Sequence, residues 1–186
     1  TYYTIYAQDG DIDISGSAQV YGEGYACMQA GYYYDDANYG YGDIRISGNA
    51  VVSSISTSEN WNGLYTPLGN IEISGTAQVT TESYFPAIYA GYDVSITGGT
   101  VSAVSISDCA IWAEEDLEIS GENTVVNTYI EEADGTIRYS CGGIVGRDDL
   151  TIDGGTVNAY AECAEETDRY CIRCDNGTFS VSDGTV

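Results

Sequence analysis

A six-residue phrase in which aliphatic and polar positions alternate recurs along the chain. Its form is Asp-Ile-x-Ile-Ser-Gly. It starts at Asp11, Asp43, Asn70, Asp93, Asp116 and Asp149, and a degenerate copy starts at Thr178. The aliphatics sit two apart, as in Ile12 and Ile14, Ile44 and Ile46, Ile71 and Ile73, Val94 and Ile96. Leu117 and Ile119, Leu150 and Ile152, Phe179 and Val181 continue the series. Between them stand Asp13, Arg45, Glu72, Ser95, Glu118, Thr151 and Ser180, all polar. Period-two alternation predicts a strand with one face in a core and the other in water. A second short strand is predicted after the glycine, as in Ala18 to Val20, Ala50 to Val52 and Ala77 to Val79. A third precedes the aspartate, at Ile5 to Ala7, Leu64 to Thr66, Ile88 to Ala90, Ile111 to Ala113 and Ile144 to Gly146.

Successive copies begin 32, 27, 23, 23, 33 and 29 residues apart. That is the range of solenoid coils, and seven copies exceed the minimum that a stacked repeat needs. A β-sandwich would also give short strands, but it has no reason to repeat one phrase seven times. In a solenoid identical residues stack coil on coil, so each coil buries its neighbour. The predicted fold is therefore all-β: a single-stranded parallel β-helix (β-solenoid) of about seven coils with three short strands per coil. At about 4.8 Å per coil the rod is on the order of 35 Å long. Residues 1–186 form one domain. Loop insertions are expected near 31–42, 126–141 and 159–170, leaving one corner of the solenoid.

Charge narrows the partners. The chain carries 29 acidic residues against five basic ones, no histidine, and a net charge of -24. Such a field repels nucleic acid and anionic membranes, and no apolar run is long enough to insert in a bilayer. Neutral polysaccharide, cations and protein surfaces remain. Without histidine or lysine neither a Ser-His nor a Cys-His pair can be assembled, so the chain is read as a non-enzyme.

Three constellations are candidates for function. Tyr6, Tyr65, Tyr89 and Trp112 lie between inward aliphatics and should form an outward aromatic row, with Met28 in the same register. Such a row binds sugar rings, packs on another protein, or stacks on itself. Asp11, Asp43, Asp93, Asp116 and Asp149, with Asn70, should stack into a ladder of like charges. Two things would offset the repulsion: an Asx-turn in which each carboxylate accepts a backbone N–H, or calcium held by the carboxylates. On adjacent coils Arg45 lies between Asp13 and Glu72, which predicts cross-strand ion pairing. The six cysteines, Cys27, Cys109, Cys141, Cys163, Cys171 and Cys174, are expected to form disulfides and so to indicate an extracellular or cell-surface setting. Cys171-Ile-Arg-Cys174 is a CxxC, but no second CxxC or histidine completes a zinc set.

The segment Ala87 to Val101 contains Ala-Ile-Tyr-Ala followed by Asp-Val-Ser-Ile-Thr-Gly-Gly-Thr-Val, and Leu150 to Val157 repeats its second half. Both resemble repeats in large surface proteins of anaerobic Gram-positive bacteria. Some of that group are described as carbohydrate-binding β-helices, and some such domains bind calcium and acidic plant polysaccharide. The resemblance thus implies a surface β-helix and carbohydrate as a ligand. Here the charge opposes an acidic polysaccharide unless calcium bridges it.

The chain opens in strand-like Thr1 to Tyr6 and stops at Ser182 to Val186, part-way through a coil, without an amphipathic cap. Unpaired solenoid edges add to other chains, so the expectation is either that this is part of a longer array or that subunits associate end to end. The leading expectation is an extracellular structural or adhesive solenoid that forms or decorates a filament. The alternative is a calcium-assisted carbohydrate-binding module.

Overall fold

The structure is a computed structural model that describes residues 3–130, 142–161 and 170–186. Three parallel sheets wind about one core, and the described residues contain no helix. The hexapeptide sheet is built from Ile12–Ile14, Ile44–Ile46, Ile71–Ile73, Val94–Ile96, Leu117–Ser120, Leu150–Asp153 and Phe179–Val181, in that order. The long-strand sheet holds the six-residue strands Gln19–Gly24, Val51–Ser56, Gln78–Ser83, Thr100–Ser105, Val125–Ile130 and Thr156–Ala161. The aromatic sheet stacks Tyr3–Ala7, Ala26–Ala30, Leu64–Thr66, Ile88–Ala90, Ile111–Ala113, Gly142–Gly146 and Tyr170–Cys174. Each coil visits the aromatic, hexapeptide and long-strand sheets in turn, and the parallel β-helix is as the repeat predicts.

The inward columns are aliphatic and in register. Ile44, Ile71, Val94, Leu117 and Leu150 lie one above another and are all essentially buried, as are Leu64, Ile88, Ile111 and Ile144. Each coil hides its apolar face only against its neighbours, so burial falls off where neighbours run out. Ile12 retains a little exposure, while Phe179 and Val181 are about half exposed.

The phrase's glycine has a specific cause in the first coils. Gly16, Gly48 and Gly75 have φ of 68°, 70° and 74°, the left-handed region that side chains rarely enter. A Cβ on Gly48 would also meet the backbone of Gly16 at 2.9 Å. The chain can turn here and still stack only without a side chain.

The structure corrects several expectations. Residues 31–42 contain an antiparallel hairpin, Tyr32–Asp35 with Asn38–Gly40, rather than irregular loop. The hairpin lies between the aromatic and hexapeptide sheets. The other two insertions connect the long-strand sheet to the aromatic one, so the three do not share a corner. Residues 131–141 and 162–169 of those insertions lie outside the described residues.

The disulfide expectation fails for the cysteines that are described. Cys27, Cys109, Cys171 and Cys174 are free. Cys27 is on the second strand of the aromatic sheet and Cys171 and Cys174 on the seventh, while Cys109 sits just before the fifth. Strands about 4.8 Å apart put every pairing among different coils beyond the roughly 7 Å limit of a bridge between Cα atoms. Cys171 and Cys174 share one strand three residues apart, which is also too far. Cys174 is engaged otherwise, with its Sγ 2.9 Å from the Asp148 carbonyl. Cys141 and Cys163 lie outside the described residues. The four free thiols give no support to the secreted setting that paired cysteines would indicate.

Candidate functional groove

Sheet register creates the aromatic row. Tyr65, Tyr89 and Trp112 occupy the same outward position on three consecutive strands of the aromatic sheet. Their flanking residues Leu64, Ile88 and Ile111 point into the core. Toward one end the column continues through Gln29 to Tyr6, and toward the other through Val145 to Arg173. Gln29 therefore holds the outward place predicted for Met28. Met28 is 1% exposed and pairs with Ile5 and Leu64 in the inward column. The one-residue difference changes the face completely, because strand side chains alternate.

Gln29 breaks the row, and Trp61 repairs it. Tyr6 stacks on Tyr3 with ring centroids 4.5 Å apart and an interplanar angle of 15°. Trp61 lies edge-on between this pair and the rest of the row, 5.6 Å from Tyr3 and 6.5 Å from Tyr65. Tyr65 and Tyr89 follow at 5.3 Å.

A groove of about 620 Å³ runs over Tyr65, Tyr89 and Trp112. One wall is built by three consecutive turns between the long-strand and aromatic sheets, which contribute Asn60 to Asn62, then Phe85 and Pro86, then Asp108. Glu114 and Arg173 complete the lining. Both tryptophans of the chain stand in this groove.

Buried hydroxyls at the ends of the long strands hold the wall. Ser105 Oγ donates to the Phe85 carbonyl (3.2 Å) and accepts from the Asp108 backbone N–H (3.0 Å). Ser83 Oγ donates to the same carbonyl, and Ser107 Oγ donates to that of Tyr84 at 2.8 Å. The Asn62 side-chain amide donates to the Pro86 carbonyl at 2.8 Å, tying two turns together. Ser54 and Thr81 do the same lower down, donating to the carbonyls of Gly63 and Ala87. The carbonyls of these tight turns would otherwise be buried without partners, which is costly.

The floor is fixed electrostatically. The Tyr89 hydroxyl donates to Glu114 Oε1 at 2.8 Å, and Arg147 pairs with the other Glu114 oxygen. Burial, then the Glu114 hydrogen bond, pushes the Tyr89 phenol far above its ordinary value. Burial also raises Tyr65. The Trp112 indole N–H is buried and finds no acceptor among the described residues. Its ring covers a small cluster of Cys109, Ile130 and Val145. Arg173 pairs with Asp175, and Asp108 Oδ1 accepts the N–H of Cys109 at 2.7 Å.

The aspartate ladder lies elsewhere, at the start of the hexapeptide sheet. Each side chain accepts the backbone N–H of the equivalent residue one coil on. Asp11 receives Asp43 N–H at 2.9 Å, Asp43 receives Asn70 at 2.8 Å, and Asn70 receives Asp93 at 3.1 Å. Asp93 receives Asp116 at 3.1 Å, Asp116 receives Asp149 at 2.9 Å, and Asp149 receives Thr178 at 2.7 Å. The bonds link coils, whereas the Asx-turn expected from the sequence would close within one. Arg45 pairs with Asp11 and Asp43 first, with Asp13 at 3.5 Å and Glu72 at 3.9 Å. The Asp43 N–H, and next Arg45, hold the Asp11 carboxyl below the usual carboxylate value. Among the described residues no three cysteine, aspartate or glutamate side chains converge as a metal site would require.

Sequence reasoning found the row but missed Trp61, Phe85, Asp108 and Arg173. The available signal was local: Trp61 and Phe85 are large apolar residues in Asn- and Pro-rich turns, where such residues have no core to enter. Comparison of the chain with protein-family models, with curated proteins and with solved structures finds no match.

Proposed function

We propose that the protein binds neutral carbohydrate in the groove over Tyr65, Tyr89 and Trp112. The observation that carries this reading is the groove itself: three in-line aromatic faces, two further aromatics in its walls, and polar groups at its rim. Sugar rings present apolar C–H faces and a polar edge. A floor of aromatic rings beside amide and carboxylate groups is complementary to both. A net charge of -24 favours a neutral ligand over an acidic one. The likeness of the Ala87 to Val101 phrase to repeats of surface β-helices agrees with this reading.

Binding without turnover is the form proposed. Glu114 is engaged by Tyr89 and Arg147, and Asp108 Oδ1 by a backbone N–H. Each acid is thus committed to holding the groove's shape. The groove does not bear on end-to-end association.

The test is affinity electrophoresis in gels containing neutral polysaccharides, run with and without a calcium chelator. Retardation should survive chelation and be weakened about tenfold or more by Trp112→Ala or Tyr89→Ala, at the upper range for a lost aromatic contact. Migration unaffected by every neutral polysaccharide would sink the reading.

A further inference from the structure

We infer that the groove's occupant is a linear, extended chain of neutral sugar residues lying parallel to the rod axis, with one residue over each coil. This rests on the glycan-binding reading above and specifies its ligand. Three features of the groove carry it.

The first is direction. The floor rings come from three successive strands in strict register, so they form a line along the rod axis rather than across it. Arg173 extends that line two strands further, through Val145. The turns bearing Trp61, Phe85 and Asp108 follow one another along the same side, so the wall runs the same way.

The second is repeat. Neighbouring strands are about 4.8 Å apart, which is close to the advance of one pyranose unit in an extended, equatorially linked chain. Such a chain keeps a ring above each aromatic as it proceeds. A curved α-linked chain leaves a straight row after about two residues.

The third is limit. Trp61 stands at 80° to the Tyr65 ring and closes one end as a wall. From the Tyr65 strand to the Arg173 strand is four strand steps, or about 19 Å, which accommodates about four sugar residues. Of the ions that line it, Glu114 pairs with Arg147 and Arg173 with Asp175, while Asp108 Oδ1 accepts the Cys109 N–H, so each has a partner within the protein rather than standing ready for a charged sugar.

Isothermal titration with cello-oligosaccharides from the disaccharide to the hexasaccharide tests the inference, with malto-oligosaccharides of equal length beside them. Affinity for the cello series should rise about threefold to tenfold with each residue that meets a further ring, up to the trisaccharide, and gain little beyond the tetrasaccharide. The malto series should gain little beyond the disaccharide. In Tyr65→Ala the plateau should come one residue earlier with disaccharide affinity nearly kept, and unchanged thermal unfolding would show the rod intact. Equal affinity of short and long cello-oligosaccharides, or a malto series that gains as steeply, overturns the axial chain while leaving glycan binding standing. Failure of every neutral oligosaccharide to bind removes both.

Discussion

At the scale of single residues, two titrations expose the forces that shape the molecule. Tyr89 and Tyr65 are raised above the ordinary phenol value of 10.0, chiefly by burial. A raised phenol pKa means that the folded state prefers the neutral hydroxyl. Its stabilisation is therefore complete below the ordinary value and is lost as pH rises through the folded one. Alkaline titration by ultraviolet absorbance should resolve more than one step, because burial holds back Tyr89 and Tyr65. A later step should coincide with unfolding, and Tyr89→Phe should make that step smaller. A single step accounting for all tyrosines would contradict the buried, Glu114-bound hydroxyl. Asp11 moves the other way. Its folded pKa is depressed, so its contribution is present above the usual carboxylate range and fades as pH falls through the lowered value. Arg45→Gln should raise the Asp11 value measured by NMR but leave it below normal, because the Asp43 N–H is the larger cause. Full restoration in that variant would make the guanidinium, rather than the inter-coil hydrogen bond, the dominant force.

The elements show why some of the protein was legible in its sequence and some was not. The Asp-Ile-x-Ile-Ser-Gly phrase marks its strand directly, because stacking forces the same choice at every coil. Copies with weaker chemistry escape notice. Met28-Gln-Ala30 and Ile172-Arg-Cys174 are members of the aromatic sheet equivalent to Ile88-Tyr-Ala90. In the second, the CxxC spacing drew attention to thiols, when the position records a strand with Arg173 facing the groove. The inner hydroxyls were hidden for a different reason. Ser54, Thr81, Ser83 and Ser105 interrupt the apolar pattern, yet they point inward because turn carbonyls there need donors. Ser105→Ala should lower stability by about 1–3 kcal/mol, since it strands the Asp108 N–H and weakens the hold on the Phe85 carbonyl. It should also weaken glycan binding without touching the ligand. Ser102→Ala, on the outward face of the same strand, should change neither denaturation midpoint nor affinity. Gly63→Ala should be worse than its size suggests, because the new Cβ would meet Thr81 Oγ1 at 1.9 Å and the Ala87 carbonyl at 2.8 Å. Overpacking of this kind costs about 1–3 kcal/mol and should appear in chemical denaturation.

At the scale of the whole molecule, a net charge of -24 is wound onto a narrow rod, and the aspartate ladder concentrates part of it in one line. Neighbouring carboxylates about 4.8 Å apart repel by roughly 1 kcal/mol in water, and the ladder holds three such pairs: Asp11 with Asp43, Asp93 with Asp116, and Asp116 with Asp149. The inter-coil hydrogen bonds give each ladder residue a donor, but they leave the net charge unchanged. Among the described residues, Arg45 alone places a cation among the acids at the first two coils. The rod should therefore be stabilised by salt in general. Raising ionic strength from about 0.01 M to 0.15 M shortens the screening length from about 30 Å to about 8 Å. The melting temperature should climb over that interval and then flatten. Two accounts of the ladder separate here. If backbone N–H groups satisfy the carboxylates, calcium and sodium should raise the melting temperature equally when matched for ionic strength. If the ladder also held calcium, micromolar calcium would add stability that saturates and that a chelator abolishes. The hydrogen bonds already occupy one atom of each side chain from Asp11 to Asp149, so equal effects of the two cations are the expected result.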